Sequence, residues 1–450
     1  MSNELKPLHF DADYTMEEAL AEAKRCLNCP KPLCRMGCPI ENEIPRFIQA
    51  IAHGNFGLAN DILAERTNLP SICGRVCPRE NQCEGNCIMN KAKKPPINIG
   101  KLERFAADFE SINELRKPKK IKQDLGKVAV VGSGPAGLSV AGDIAKLGYE
   151  VTVFEGQSEP GGVLLFGIPE FRLSKSVVRR EIARLEGLGV KFVCNTFIGQ
   201  DKTLDELFAE GFDSIFIGTG THIPQEVRME NDEVHGVFQA MYLLTNVQLV
   251  ENGELDEAQI PVKKGDRVII IGGGNVAMDA ARTCVRLGCE SVTVAYRRSQ
   301  EQMPALLSEY EEARAEGVQF QWFASPVGVE GKDKVEGFKY EVMALNEDGA
   351  GIHGTGKFQV MPVDKIIIAA GHKPNARLIG EGNNLKVDEK GYIITSEDPY
   401  GMTNRDGVFA GGDVVHKPAT VVLAMREAKK AVDGMVKYME IKKAQESANQ

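Results

Sequence analysis

The sequence has a single tryptophan in 450 residues, and no apolar run approaches the ~18–20 residues that a membrane-spanning helix needs. Its opening stretch, Met1 to Phe10, mixes acidic and polar residues and has no apolar signal core. Positive charge is not in excess. The 54 Lys and Arg residues stand against 63 Asp and Glu, a formal net charge of −9, which disfavours nucleic acid as the main partner. No Ser/His/Asp set and no paired-carboxylate arrangement marks a hydrolytic centre, so no side chain is assigned a catalytic role. The expectation left by these absences is a cytoplasmic chain with neither membrane nor nucleic acid as partner. At ~150 residues per domain, the length predicts about three domains.

Cysteine is present but unevenly spread. Eight of the 11 lie between Cys26 and Cys87, while Cys194, Cys284 and Cys289 are scattered later and read as small buried hydrophobes. In a cytoplasmic chain, crowded cysteines indicate metal or redox chemistry more than disulfides. The first cassette is Cys26-x2-Cys29-x4-Cys34-x3-Cys38-Pro39, and the second is Cys73-x3-Cys77-Pro78-x4-Cys83-x3-Cys87. Structural zinc favours two paired CxxC ligand sets. Only one CxxC occurs here, and the wider gaps with Cys-Pro dipeptides resemble two-cluster ferredoxins, in which the fourth cysteine of one run ligates the other cluster. Apolar residues at helical spacing over 13–25 and 44–63, with no convincing strand nearby, predict a small helical domain. The basic stretch Arg116-Lys-Pro-Lys-Lys-Ile-Lys122 reads as a solvated linker.

From Lys127 the pattern is strand, glycine turn, helix, strand, and it then repeats. Lys127-Val-Ala-Val-Val-Gly132 matches Arg267-Val-Ile-Ile-Ile-Gly272; Leu147 and Leu287 follow at the same spacing; Val151 to Val153 matches Val292 to Val294. Ile215-Phe-Ile-Gly-Thr-Gly220 and Ile366-Ile-Ile-Ala-Ala-Gly371 extend the repeat, which predicts two Rossmann-like nucleotide-binding folds. In the first, Gly132, Gly134 and Gly137 form a GxGxxG turn, and Glu155 closes the next strand where ribose hydroxyls would lie. In the second, Gly272, Gly274, Asn275 and Ala277 form the turn, and the next strand runs into Arg297-Arg298 rather than an acid. Arginines clamp a 2′-phosphate with paired hydrogen bonds that a carboxylate would repel, so the second fold is expected to prefer NADP(H). Gly407-Val-Phe-Ala-Gly-Gly-Asp413, then Lys417-Pro-Ala-Thr420 and a helical run, resembles the C-terminal flavin motif of reductases with two dinucleotide domains. That likeness implies FAD in the first fold, with Gly412, Asp413 and the Thr420 region against it.

Taken with Pro96-Ile-Asn-Ile-Gly100, Gly161-Gly162 and Gly167-Ile-Pro-Glu-Phe-Arg172, these motifs resemble the small-subunit family of NADPH-dependent glutamate synthase over nearly the whole chain. The same module occurs in the N-terminal half of dihydropyrimidine dehydrogenase and in the large subunit of NADH-dependent ferredoxin–NADP oxidoreductase. The resemblance implies FAD, NADPH and two 4Fe-4S clusters. Its domains would be a helical iron–sulfur domain at 1–122, a discontinuous FAD domain at 123–255 and 372–450, and an NADPH domain at 256–371. It also implies Gly162 and Arg172 as cofactor-binding residues. By the dihydropyrimidine dehydrogenase arrangement, Cys26, Cys29, Cys34 and Cys87 hold one cluster, and Cys38, Cys77, Cys83 and Glu103 hold the other, leaving Cys73 over. In that dehydrogenase the non-cysteine ligand is an amide, so Glu103 is a departure, although the bifurcating relatives use glutamate. The implied function is electron transfer between NADP(H), FAD, the clusters and a separate partner subunit. Pyrimidine reduction, electron-bifurcating transhydrogenation and sulfide dehydrogenation are the alternatives. A disulfide reductase of thioredoxin-reductase type would need a CxxC inside a nucleotide domain, and none follows Gly126.

Overall fold

A computed structural model describes residues 14–112, 121–347, 349, 351–374, 383–417 and 420–448. The opening residues, most of the 116–122 linker and residues 418–419 of the flavin motif lie outside them. Thr15 starts the first helix, Met16–Lys24, through a capping box in which Thr15 and Glu18 each accept from the other's amide. Helices Ile44–Ala52, Phe56–Ala64, Pro70–Val76 and Ile99–Ile112 follow. The apolar pattern over 44–63 is thus two helices. Gly54 takes a left-handed φ of 73°, and Asn55 caps the second helix through the Leu58 amide. Phe47, Ile48 and Ile51 form the centre of this helical core, and Cys83 and Cys87 belong to it. Phe56 meets Phe105 and Phe109 edge-on at 5.2 and 4.6 Å between ring centroids. No strand occurs among the described residues of this region.

The two predicted nucleotide folds are both present as five-stranded, wholly parallel sheets. The first has the order Val408–Ala410, Ser214–Ile217, Lys127–Val131, Glu150–Phe154, Lys191–Val193. The second has the order Val237–Gln239, Lys365–Ile368, Arg267–Ile271, Ser291–Tyr296, Gln319–Trp322. Their Val- and Ile-rich central strands are buried on both faces, as parallel strands covered by helices must be. A three-stranded antiparallel sheet, Ala324–Glu330, Gly337–Leu345 and Ile352–Pro362, is appended to the second fold.

By packing, the chain falls into two units. One joins the described residues of Asp11–Leu165, Arg172–Ile223 and Lys373–Gln450; the other joins Phe166–Phe171 with those of Pro224–His372. The second unit therefore reaches back to 224 instead of beginning at 256, because strand Val237–Gln239 pairs with Ile366–Ile368. Helical region and first nucleotide fold share a unit. Asn68 donates to the Ser139 carbonyl at 3.1 Å and to Asp143 at 2.8 Å, and Gly142 makes room, since a Cβ there would lie 2.5 Å from Asn68. Asp108 bridges Arg75 and Arg180 at 2.6 and 2.5 Å. In the second unit the Phe171 ring lies under the guanidiniums of Arg282 and Arg286, 4.5 and 4.3 Å from its centroid. Buried Arg282 also meets Glu312 at 2.6 Å and Glu316 at 2.8 Å. Among the described residues no helix is long and apolar enough to cross a membrane.

Helix Val421–Ala448 presses on a neighbouring loop at Gly434, where an added Cβ would sit 2.3 Å from the Tyr400 carbonyl oxygen. Alanine raises helix propensity by ~1 kcal/mol, but forcing a methyl against fixed backbone costs ~1–3 kcal/mol. The second effect is expected to win, so Gly434→Ala should lower the thermal unfolding midpoint. A raised midpoint would show that the loop yields without cost.

Candidate functional site

The first group of thiols surrounds one cavity. Cys26, Cys29 and Cys34 line it with Cys87 from the other cassette, against Leu33, Ile44, Ile48 and Ile97. Burial raises the Cys26 thiol and pushes Cys34 up to about 12. Such a pocket stabilises thiolates only when positive charge is supplied inside it, which fits iron held by four sulfurs. The second group contains Cys38, Cys77, Cys83 and Glu103. Burial pushes the Cys38 thiol to about 11, with the charge of Glu103 adding to it, and Cys77 and Cys83 also feel that carboxylate.

Glu103 lies in the second turn of helix Ile99–Ile112. It is 8% exposed and accepts from Asn42 at 3.3 Å. Burial outweighs the attraction of Arg79 and carries its carboxyl up to about 8. Cys73 is also in this group. Its thiol shares a hydrogen bond with Cys77 and lies 3.8 Å from both the Thr67 hydroxyl and the Met425 sulfur.

The first glycine turn is set by backbone contact. A Cβ on Gly137 would lie 1.9 Å from the Gly132 oxygen, and one on Gly132, at φ 94°, would lie 2.9 Å from the Gly218 oxygen. Gly134, the N-cap of Pro135–Lys146, faces open space instead, as a residue approached by a pyrophosphate should. Gly162 closes over this turn, with its Cβ position 2.9 Å from the Gly134 Cα. Glu155 is buried and accepts from the Ser133 amide at 3.0 Å, from the Ser133 hydroxyl and from the Gln157 amide at 2.9 Å. The Ser133 hydroxyl accepts in turn from the Gly161 amide at 2.8 Å, so one small side chain links the turn, the acid and Gly162. Sequence reasoning missed Ser133; its only signal is a hydroxyl between two turn glycines.

Gly412, at φ 76°, leaves room for Ala136, whose Cβ would otherwise be met at 2.8 Å. Burial raises the neighbouring Asp413 carboxyl to about 6, and Asp413 opens into a cavity shared with Tyr400 and Glu427. Thr420 caps Val421–Ala448, its hydroxyl accepting from the Leu423 amide at 3.3 Å. Arg172 is half-buried just before helix Lys175–Gly187.

The second turn repeats the first with altered chemistry. Gly272, at φ 144°, runs 2.4 Å (Cβ position) from the Ala369 oxygen, and Gly274 again faces open space at the N-cap of Asn275–Arg286. Asn275 accepts from the Leu306 amide at 3.0 Å, and Ala277 is fully buried beneath the turn. At the strand end, the place of Glu155 is taken by Tyr296, whose ring lies 2.6 Å from the Cβ position of Gly273. Only glycine fits there, so the second turn has no counterpart of the Ser133 hydroxyl. Arg297 is exposed and Arg298 half-buried beyond it, and among the described residues no carboxylate forms an ion pair with either.

Residues 126–428 match the family described as pyridine nucleotide-disulphide oxidoreductase, and residues 6–115 match the one described as dihydropyrimidine dehydrogenase domain II, 4Fe-4S cluster. The glutamate synthase (NADPH) small chain of Halomonas elongata is 37% identical over 95% of this chain and 92% of its own length. The chain belongs to the glutamate synthase small-chain family. It is accordingly an NADPH-dependent oxidoreductase with FAD and 4Fe-4S chemistry. The chain is also similar to subunit PreT of the NAD-dependent dihydropyrimidine dehydrogenase of Escherichia coli, 34% identical over 95% of this chain and 96% of that one. Among solved structures, Mycobacterium tuberculosis FprA in complex with NADPH shares the fold, with a TM-score of 0.59 at 18% identity over 72% of this chain and 86% of that chain.

Gly134 has φ −70° and free space around its Cβ position, so Gly134→Val should fold normally yet bind little FAD, because the side chain fills the pyrophosphate's approach. A visible spectrum of the purified variant at normal flavin content would refute this. Removing one charge-assisted hydrogen bond costs ~1.5–3 kcal/mol. Replacing both Arg297 and Arg298 by alanine should therefore weaken NADPH about 10-fold or more in flavin-reduction kinetics while NADH is little changed. Equal weakening of both nucleotides would remove the arginines from 2′-phosphate recognition.

Proposed function

We propose that this chain is the electron-input subunit of a glutamate-synthase-like enzyme, holding two 4Fe-4S clusters and delivering electrons from NADPH to a separate partner subunit. The observation that carries the proposal is the joining, in one chain, of two nucleotide turns of different chemistry with two largely half-buried thiol groups whose members come from both cassettes. FAD held at the first turn would supply the conversion between a two-electron hydride donor and one-electron carriers. The residues supply placement. Gly134 and Gly274 admit the two pyrophosphates, Glu155 and Asp413 accept from hydroxyls of the flavin nucleotide, and Arg297 and Arg298 donate to the 2′-phosphate. Cys26, Cys29, Cys34 and Cys87 hold one cluster; Cys38, Cys77, Cys83 and Glu103 hold the other. The proposed domains are the helical iron–sulfur domain and the two nucleotide folds, with the boundary of the second moved to 224. The likeness to PreT supports a second reading, in which the partner reduces pyrimidines. The partner that co-purifies with the native chain separates the two.

Glu103 is preferred to Cys73 for a physical reason. A neutral thiol is tolerated in a buried place, and Cys73 already has thiol, hydroxyl and thioether neighbours. A buried carboxylate is not tolerated without compensating positive charge, and Glu103 is the acid that burial raises most clearly in this group. Cys73→Ser should therefore keep ~8 irons per flavin, two cubanes of four. Glu103→Ala should lose or perturb one cluster in the electron paramagnetic resonance spectrum. Iron lost in Cys73→Ser with Glu103→Ala silent would reverse the ligand assignment.

A further inference from the structure

The repeat leaves one pair of residues that nucleotide chemistry does not use. Helix Asn275–Arg286 ends at Leu287, and Gly288 follows at φ 81°. The Cys289 amide donates back to the Cys284 carbonyl at 3.2 Å and the Gly288 amide to the Val285 carbonyl at 3.0 Å, a Schellman C-cap that brings the side chains at 284 and 289 together. The first copy has the same cap. There Gly148 is at φ 99°, the Tyr149 amide donates to the Ile144 carbonyl at 3.4 Å, and the contact pair is the apolar Ile144 and Tyr149. In the second copy both members are thiols that share a hydrogen bond. Cys284 is fully buried in the domain core, whereas Cys289 is partly exposed and also faces the Lys263 carbonyl at 3.8 Å.

We propose that Cys284 and Cys289 form a reversible disulfide, a redox modification site in the nucleotide-binding unit, made by exchange with a low-molecular-weight disulfide such as oxidised glutathione. Cys289 is the attacking sulfur. The hydrogen bond from Cys284 holds its thiol below the ordinary value, while the same bond and burial hold Cys284 above it. Cys289 thiolate attacks one sulfur of the glutathione disulfide, forming a mixed disulfide and releasing one glutathione thiolate. That thiolate takes the proton of Cys284, whose sulfur then attacks Cys289 and releases the second glutathione. Two protein thiols lose two electrons, and one disulfide becomes two thiols. The staple closes at the opposite end of the helix from Gly274 and Asn275, ~18 Å away at 1.5 Å per residue over 12 residues, so it locks the C-cap without entering the nucleotide turn.

The test uses the intact holoprotein, incubated without oxygen with oxidised glutathione, then denatured in an alkylating reagent, digested with trypsin and mapped by mass spectrometry. Cleavage at Arg282, Arg286 and Arg297 places the two cysteines in separate peptides, 283–286 and 287–297. The expected result is a linked pair two hydrogens lighter than the sum of its parts, abolished by dithiothreitol. Cys284→Ser should instead accumulate a lasting glutathione adduct on Cys289, and NADPH kinetics of the oxidised wild type should be unchanged. Recovery of both cysteines alkylated, or a glutathione adduct on Cys289 that persists in the wild type, would overturn the proposal.

Discussion

The contact of backbone with backbone at the two glycine turns is the constraint on which the rest depends. Gly137 against the Gly132 oxygen, and Gly272 against the Ala369 oxygen, leave no space for a side chain. That closeness brings each helix N-terminus to the end of its sheet and aims its amides at one point, where phosphate is favoured by the helix dipole. Once the turns are fixed, the two copies differ at the residues that end the next strand. On one side Ser133 and Glu155 present an acid held by amides. On the other, Gly273 yields its place to the Tyr296 ring, and two arginines follow. The two copies of one architecture thus differ by a pair of exchanges, serine for glycine and glutamate for tyrosine.

The iron–sulfur region works under a different constraint. Its helices are short, and thiols occupy places that apolar side chains would otherwise fill, Cys83 and Cys87 lying directly in the core. Cys73 touches Met425 of the long C-terminal helix, so the second thiol group is packed against the same helix whose N-terminus Thr420 caps beside the flavin motif. The second thiol group and the C-terminal flavin-like motif are therefore joined by ordinary side-chain packing within one unit.

The parts legible in the sequence were those written in local spacing: the glycine turns, the buried strands, the two cassettes and the helical character of the first domain. The parts that were not legible depend on pairing between distant segments. Val237–Gln239 is too short to show a period, and it belongs to the second sheet only because Lys365–Ile368 lies beside it. The break at Gly54 hides inside a continuous apolar pattern, since the helices on both sides bury the same residue types. Ser133, Gly273 and the Cys284–Cys289 contact become visible only when the two copies are compared in space. Resemblance to a family pointed to Glu103, but its burial among the thiols is a fact of packing that spacing could not provide.

The order of strands has a consequence for how the chain is made. The second sheet draws all its strands from one stretch, Val237–Gln239 to Lys365–Ile368, so it is complete as soon as that stretch has left the ribosome. The first sheet begins earlier but ends later, because its edge strand, Val408–Ala410, is synthesised after the entire second unit. Until then Ser214–Ile217, a fully buried strand in the finished protein, presents an open hydrogen-bonding edge. The flavin side of the molecule is started first and closed last, and its exposed edge is what the nascent chain must protect during translation.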